Sequence, residues 1–300
     1  METHPARRDV PFRRANGNRR FSSAPLRLCG KRRFFGLTKT EGNAVTEPLV
    51  KTSFAEGVYT ITLNRPGKRN AVSDRLLEAI DKAFQSAPED TRAIILAGEG
   101  KHFCAGLDLA EHQHREPFGV MLHSQGWHKI FHRIQHGGIP VIAAMQGAVI
   151  GGGLELATAT HVRVAEPSTI YQLPEGRHGI FVGGGASVRV ARIIGQGRMC
   201  EMMLTGRIYD AAEGQRLGLS HYLVGEGESL AKAQELAKRI AENSHMANWA
   251  MVTAIARITN MATDDGFYVE SLTAALTQTS PEVVERIGHF LQRKGKGPQT

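Results

Sequence analysis

The 300-residue chain has little cysteine and no framework built on it. Its three cysteines, Cys29, Cys104 and Cys200, are odd in number and widely spaced, with no CxxC and no Cys/His metal-ligand spacing. This excludes a disulfide-stapled fold and a zinc site, and fits a reducing compartment. Long apolar runs are also missing. The longest candidate, VIAAMQGAVIGGGLELA, is interrupted by Gln146 and by glycines. It falls short of the ~18 residues of a membrane span, and no secretory apolar core is present. Two glycine triplets, Gly151-Gly152-Gly153 and Gly183-Gly184-Gly185, belong to neither GxGxxG nor GxxxxGK[ST]. A dinucleotide or P-loop reading therefore lacks its signature.

Surplus charge is missing from most of the chain. The formal net charge is +8, but 11 of the 37 basic and three of the 29 acidic residues lie in residues 1–44. The remainder carries 26 of each sign, so by charge its surface is not one for nucleic acid. The basic stretch has Arg pairs, few apolar residues and no hydrophobic period. It reads as a disordered tail or as codons upstream of the true start, with the protein cytoplasmic. The alternatives are a mitochondrial presequence leading to the matrix, against which Pro5, Asp9 and Pro11 break any early amphipathic helix, and a nucleic-acid contact.

What is present alternates. VYTITLN (58–64) has the period and β-branching of a strand. Ser73 is placed to cap DRLLEAIDKAFQSA, whose Leu76, Leu77, Ile80 and Phe84 recur at helical spacing. RAIILAG (92–98) is a strand buried on both faces. A helix follows near 118–135, then the strand VIAAMQG, a helix from GGGLELATAT and the strand HVRVAEP. Strand–helix alternation predicts an α/β fold of βαβ-type units. From about Glu228 the pattern is all helical, through ESLAKAQELAKRIAEN, MANWAMVTAIARIT, FYVESLTAALTQT and PEVVERIGHFLQRK. The expected organisation is a tail over 1–44, an α/β core over 45–227 and a helical subdomain over 228–300.

Two segments share a design. HFCAGLD and AVIGGGLE each run from an apolar strand through small residues into a turn leading to a helix. Glycine lets the backbone approach a ligand, and a helix start offers free N–H groups. Two convergent N–H groups would stabilise charge developing on a carbonyl oxygen. The second triplet reads equally as a tight turn. Two acids follow, Glu155 after the first triplet and Glu175 in QLPEGRHG. Near such a hole they can share a water, one taking a proton and the other giving one.

These residues resemble the enoyl-CoA hydratase/isomerase (crotonase) superfamily over roughly residues 48–293. The resemblance rests on TLNRPGKRNAVS (62–73), HFCAGLDL (102–109), IPVIAAMQGAVIGGGLELA (139–157), YQLPEGRHGI (171–180) and MMLTGRIYDAAEGQRLGLSHYLV (202–224). It implies a spiral of ββα turns with C-terminal helices, and a homotrimer or a hexamer of stacked trimers. It implies an acyl-CoA thioester as substrate, with no metal, no separate cofactor, no nucleic acid and no membrane. The oxyanion N–H groups fall on Leu107 and Gly152, and the acid/base pair on Glu155 and Glu175. Retention of both acids points to the hydratase branch, with isomerisation or C–C cleavage on the same enolate as alternatives, and an RNA- or CoA-binding role more remote.

CoA would lie along RPGKRNA and HFCAG. Candidate contacts are Lys68, Arg69, His102, Phe103, Ala105, Gly106, Asp108 and Gly151, with Arg293 and Lys294 after the last helix. The His102 ring itself reads as a structural or surface group. The chain departs from the family where Val182-Gly183-Gly184-Gly185-Ala186 replaces Pro-Gly-x-Gly-Gly, and where Arg177 and His178 follow Glu175. A cation there is expected to lower the acid's pKa or to pair with a polar acyl group. Residues 111–128 are expected to line the acyl pocket, with His114, Phe118, Met121 and Trp127 as candidates.

Overall fold

The computed structural model describes residues 47–111 and 115–295, without the side chains of residues 290 and 293–295. The basic tail and His114 lie outside the described residues. Among the described residues eight strands are present: β1 (Val50–Ala55), β2 (Val58–Leu63), β3 (Ala93–Gly98), β4 (Val141–Met145), β5 (Ala148–Ile150), β6 (Val162–Ala165), β7 (Ile170–Gln172) and β8 (Tyr222–Leu223). Six form one sheet in the order β1-β2-β3-β4-β6-β8, in which only the β1–β2 pair is antiparallel.

β1 was not expected. Five of its six residues are exposed, so this edge hairpin strand lacks the apolar alternation that marks a half-buried one. β3 is the opposite case, with all six residues of AIILAG buried. Its Ile94 and Leu96 face the main core, whereas Ala93, Ile95 and Ala97 face a second cluster. Helix α7 (Ser229–Ala241) covers that second face with Ala233, Leu236 and Ala237. Helix α1 (Asp74–Gln85) packs on the first face through Leu76, Leu77 and Ile80, and Ser73 accepts from the Leu76 N–H as its N-cap.

After most sheet strands the chain adds a short extended segment to a second layer. β5 pairs with β7, Cys104 bridges Val149, Val72 bridges Leu107, and Tyr171 bridges Tyr209. Strand, extended segment and helix thus repeat along the chain as a spiral of ββα character. The helices are α2 (Pro117–His136), α3 (Gly152–Thr158), α4 (Ala186–Ile194), α5 (Gln196–Thr205) and α6 (Ala211–Arg216), followed beyond α7 by α8 (His245–Ile258), α9 (Thr263–Gln278) and α10 (Pro281–Gly295). One correction follows for HFCAGLD: it runs into turns, and among the described residues the next helix begins at Pro117. The Leu107 amide is therefore presented by the second layer and not by a helix start. No helix among the described residues is long and apolar enough to cross a membrane.

Leu96 is fully buried at the centre of this sheet. Leu96→Ala should destabilise the protein by about 2–5 kcal/mol through lost burial and the cavity left behind. Urea unfolding checks this, and an unchanged midpoint would contradict the packing described.

Candidate active site

Leu107, Gly152, Glu155 and Glu175 line one cavity of about 220 Å3. Its geometry begins with two strand-end segments lying backbone against backbone. Gly106 has φ +92°, and a Cβ there would come within 2.7 Å of the Ile150 carbonyl oxygen and 3.4 Å of the Gly152 nitrogen. A Cβ on Gly153 would overlap the Cys104 carbonyl. The Gly106 carbonyl accepts from Val72 N at 2.7 Å and Asp108 N donates to the Val72 carbonyl at 2.9 Å, so the Leu107 N–H between them is left over. Gly152 opens α3, where a first-turn N–H has no partner within the helix. Neither amide donates to a protein acceptor among the described residues. A Cβ on Gly152 would lie 3.7 Å from the Leu107 nitrogen and against the Trp127 ring, which marks how close the two donors are.

The two acids sit in unlike surroundings. Glu155 lies on α3, which is buried along its whole length. Its Oε1 accepts from the Gly184 N–H at 2.8 Å and the Ala186 N–H at 3.0 Å. Burial pushes its carboxyl above the usual range, while these amides and the Arg189 guanidinium pull it back. Glu175 begins a short 3-10 turn, Glu175–His178, and is buried. Its Oε2 has no hydrogen-bond partner. Burial raises it to about 7, with the neighbouring Glu155 adding to the rise. Gly151, φ +51°, leaves room for it, since a Cβ there would sit 2.9 Å from Glu175 Oε1. The cavity wall between and beyond the acids is largely apolar, with Val120, Trp127, Ile180, Phe181 and Val182, and His123 and Ser124 from α2.

Several expected contacts fall elsewhere. Asp108 does not line the cavity: its carboxylate is buried against Arg65 at 3.0 Å and also caps the Ala110 N–H. Burial raises its pKa but is outweighed by Arg65 and the amides, so the group is held below the usual range. The Phe103 side chain is fully buried in the main core. His102 Nδ1 accepts from the Ala148 N–H at 3.1 Å, and burial, with Arg69 and Lys101 nearby, keeps the ring below its ordinary pKa. Its ring lines a separate, larger groove of about 740 Å3 that contains none of the four central groups. Ala105 is half-buried and its N–H donates to the Arg69 carbonyl. Lys68 and Arg69 are exposed on the loop after β2. Arg293 and Lys294 fall in the last turn of α10, with side chains outside the described residues.

Arg177 overturns an expectation. It turns away from Glu175 and donates to the Thr205 carbonyl at 3.1 Å, so it leaves the acid unlowered. The 3-10 turn sets that direction. His178 does not line the cavity either. Phe118 and Met121 are exposed and do not line it, whereas Trp127 does. Two groups were missed. The Gly184 and Ala186 amides bind Glu155, for which the only local signal was a second triplet placed, like the first, just before a helix. Asn70, fully buried with φ +54°, ties the loop after β2 to the Glu99 and His102 carbonyls at 3.0 and 2.7 Å.

A mostly parallel sheet with an outer layer of short strands, two amides without protein acceptors and a pair of buried acids in one cavity define a crotonase-type α/β protein. The enoyl-CoA hydratase/isomerase family matches residues 53–296, and the chain belongs to that family. Among its relatives, Enoyl-CoA hydratase EchA19 of Mycobacterium tuberculosis is 33% identical over 216 residues, covering 70% of this chain and 81% of that protein. The 2,3-dehydroadipyl-CoA hydratase of Escherichia coli is 30% identical over 239 residues, 79% of this chain and 93% of that protein. The crystal structure of enoyl-CoA hydratase from Bacillus anthracis superposes with a TM-score of 0.77 at 30% identity, covering 82% of this chain and 97% of that one. A solved structure from Rhodopseudomonas palustris reaches a TM-score of 0.80 at 48% identity, with 82% and 96% coverage.

The Asp108 placement has a consequence for stability. Asp108→Ala leaves Arg65, itself nearly buried, with one carboxylate partner fewer, which should cost about 3 kcal/mol. Thermal unfolding should register this as a drop of several degrees. An unaltered Tm together with weakened CoA-thioester binding would return Asp108 to the substrate contacts.

Proposed function

We propose that the protein is an enoyl-CoA hydratase, adding water across the 2,3 double bond of a trans-2-enoyl-CoA to give a 3-hydroxyacyl-CoA. The observation that carries this reading is the unequal pair of buried acids facing a cavity with two unclaimed amides. The thioester oxygen binds between the N–H groups of Leu107 and Gly152. Glu155, whose carboxylate two amides favour against the upward push of burial, takes a proton from a water placed between the acids. The resulting hydroxide adds to C3. The electron pair of the double bond moves toward the thioester and forms an enolate, whose charge the two amides stabilise, each contributing about 3 kcal/mol. Glu175, which retains a proton up to a pH of about 7, delivers it to C2. A proton passed from Glu155 to Glu175 through solvent resets the pair.

The CoA moiety, in this reading, runs past Lys68 and Arg69 on the loop after β2. The reaction as drawn uses only these protein groups and water. Self-association into a trimer or hexamer fits the exposed apolar side chains of α9 and α10, among them Phe267, Leu272, Leu276, Val284 and Ile287.

The test follows loss of the conjugated enoyl-thioester absorbance with crotonyl-, longer-chain and aromatic enoyl-CoAs. Loss of that band with product hydrated at C3 supports the proposal, and no turnover of any of them removes it. Glu155→Gln and Glu175→Gln should each lower kcat by about 10²–10⁴-fold. Turnover that survives Glu155→Gln would favour isomerisation, in which no water needs activating.

The pH dependence has a definite sign. Glu175 must carry its proton to act, so kcat/KM should fall as pH rises through about 7. A profile that stays level for about two pH units above that point would exclude Glu175 as the proton donor.

A further inference from the structure

Arg189, near the start of α4, has no part in the reaction drawn above, yet it grips the loop that holds Glu155. Its Nη1 donates to the Gly184 carbonyl at 2.9 Å and its Nε to Gln135 Oε1 of α2 at 2.8 Å. The guanidinium carbon lies 6.0 Å from the centre of the Phe131 ring. Gly185 has φ +107°, and a Cβ there would overlap the guanidinium, so this glycine makes room for the cation. On its other side the same loop directs the Gly184 and Ala186 N–H groups at Glu155 Oε1. Ser124 Oγ donates to the Gly183 carbonyl at 2.6 Å and pins the loop from α2. The loop thus stands between an anion and a cation: the carbonyl of the Gly184–Gly185 peptide takes the guanidinium, and the N–H groups of the peptides on either side of it hold the carboxylate.

A cation in the first turn of a helix is disfavoured by the helix dipole. Arg189 occupies such a position in α4, and the Glu155 carboxylate at the same helix end supplies the compensating charge. We propose that Arg189 is a positioning residue for Glu155: it fixes the Gly184–Gly185 peptide, which lies between the two peptides whose N–H groups hold the carboxylate, and it places a positive charge behind that loop. Its rate readout rests on the hydratase reading, but its titration readout does not.

The charged groups around this pair are few. Glu175 faces Glu155 from its 3-10 turn and Arg192 lies near Arg189 on α4. His132 and His136 on α2 lie near Arg189 and also near Arg257 of α8. Both histidines are held below their ordinary pKa, by burial first and then by these cations. Removing Arg189 therefore leaves Glu155 buried with a weaker counterweight, and its pKa moves up. A base must be ionised, so the acid limb of the rate profile moves to higher pH.

The experiment uses the full chain and Arg189→Met, Arg189→Lys and Gln135→Leu variants. Arg189→Met should lower kcat about tenfold or more with KM changed less than about threefold, and should move the acid limb of kcat/KM up by about one pH unit. Arg189→Lys should restore the limb but only part of kcat, because it returns the charge without the two-nitrogen grip. In parallel, the ¹³C carboxyl resonance of Glu155, assigned by its loss in Glu155→Gln, should titrate at higher pH in Arg189→Met without substrate. A limb and a resonance both unmoved in Arg189→Met overturn the proposal. Should Arg189→Met fail to fold, Gln135→Leu, which frees Nε, is read instead, and an unmoved resonance there overturns it equally. If the wild-type chain turns over no enoyl thioester, the hydratase reading fails while the resonance still decides the role of Arg189.

Discussion

The site depends on one close contact between main chains. Residues 104–107 lie directly on residues 149–153, through the Cys104–Val149 bridge, the approach of Gly106 to the Ile150 carbonyl and that of Gly153 to the Cys104 carbonyl. Only glycines permit the approach, and one of them needs a left-handed backbone as well. Once it is made, the Leu107 and Gly152 amides are neighbours whatever side chains surround them. The α3 helix then starts at a set place, which puts Glu155 under the loop of the second glycine triplet.

From that contact the electrostatics follow. Glu155 and Glu175 are both buried, and burial alone would make both neutral. They differ in what opposes it. Glu155 has two peptide donors and a guanidinium behind them, whereas one oxygen of Glu175 has nothing. Both carboxyls are raised, yet one is braced by donors and the other keeps an unmatched oxygen, a contrast of the kind that separates acid and base roles.

Much of the architecture was legible because burial writes itself into periodicity. RAIILAG is a strand buried on both faces and reads as one, and Leu76, Leu77, Ile80 and Phe84 trace the packed face of α1. What escaped lacked local pattern. β1 is a solvent-facing edge, and β5 and β7 are three residues each, too short to show a period. The placing of Glu155 and Glu175 together was reached through motifs, since nothing in local spacing brings residues 20 apart to one cavity. Its environment was not reached: the amides of Gly184 and Ala186 meet Glu155 from 29 and 31 residues away. Arg177 shows the converse, for adjacency in sequence put a cation next to Glu175 on paper while one tight turn sent it to Thr205.

An anion grip formed by peptide groups contains no side chain that substitution can delete. Leu107 contributes its nitrogen, and another residue at that position would contribute the same one. Val120, Ile180 and Phe181 on the surrounding wall carry no part of that grip. The pocket can therefore be recut for chains of other length or branching while the two donors stay in place, so under the proposed reaction the scaffold could host other acyl groups without rebuilding its centre.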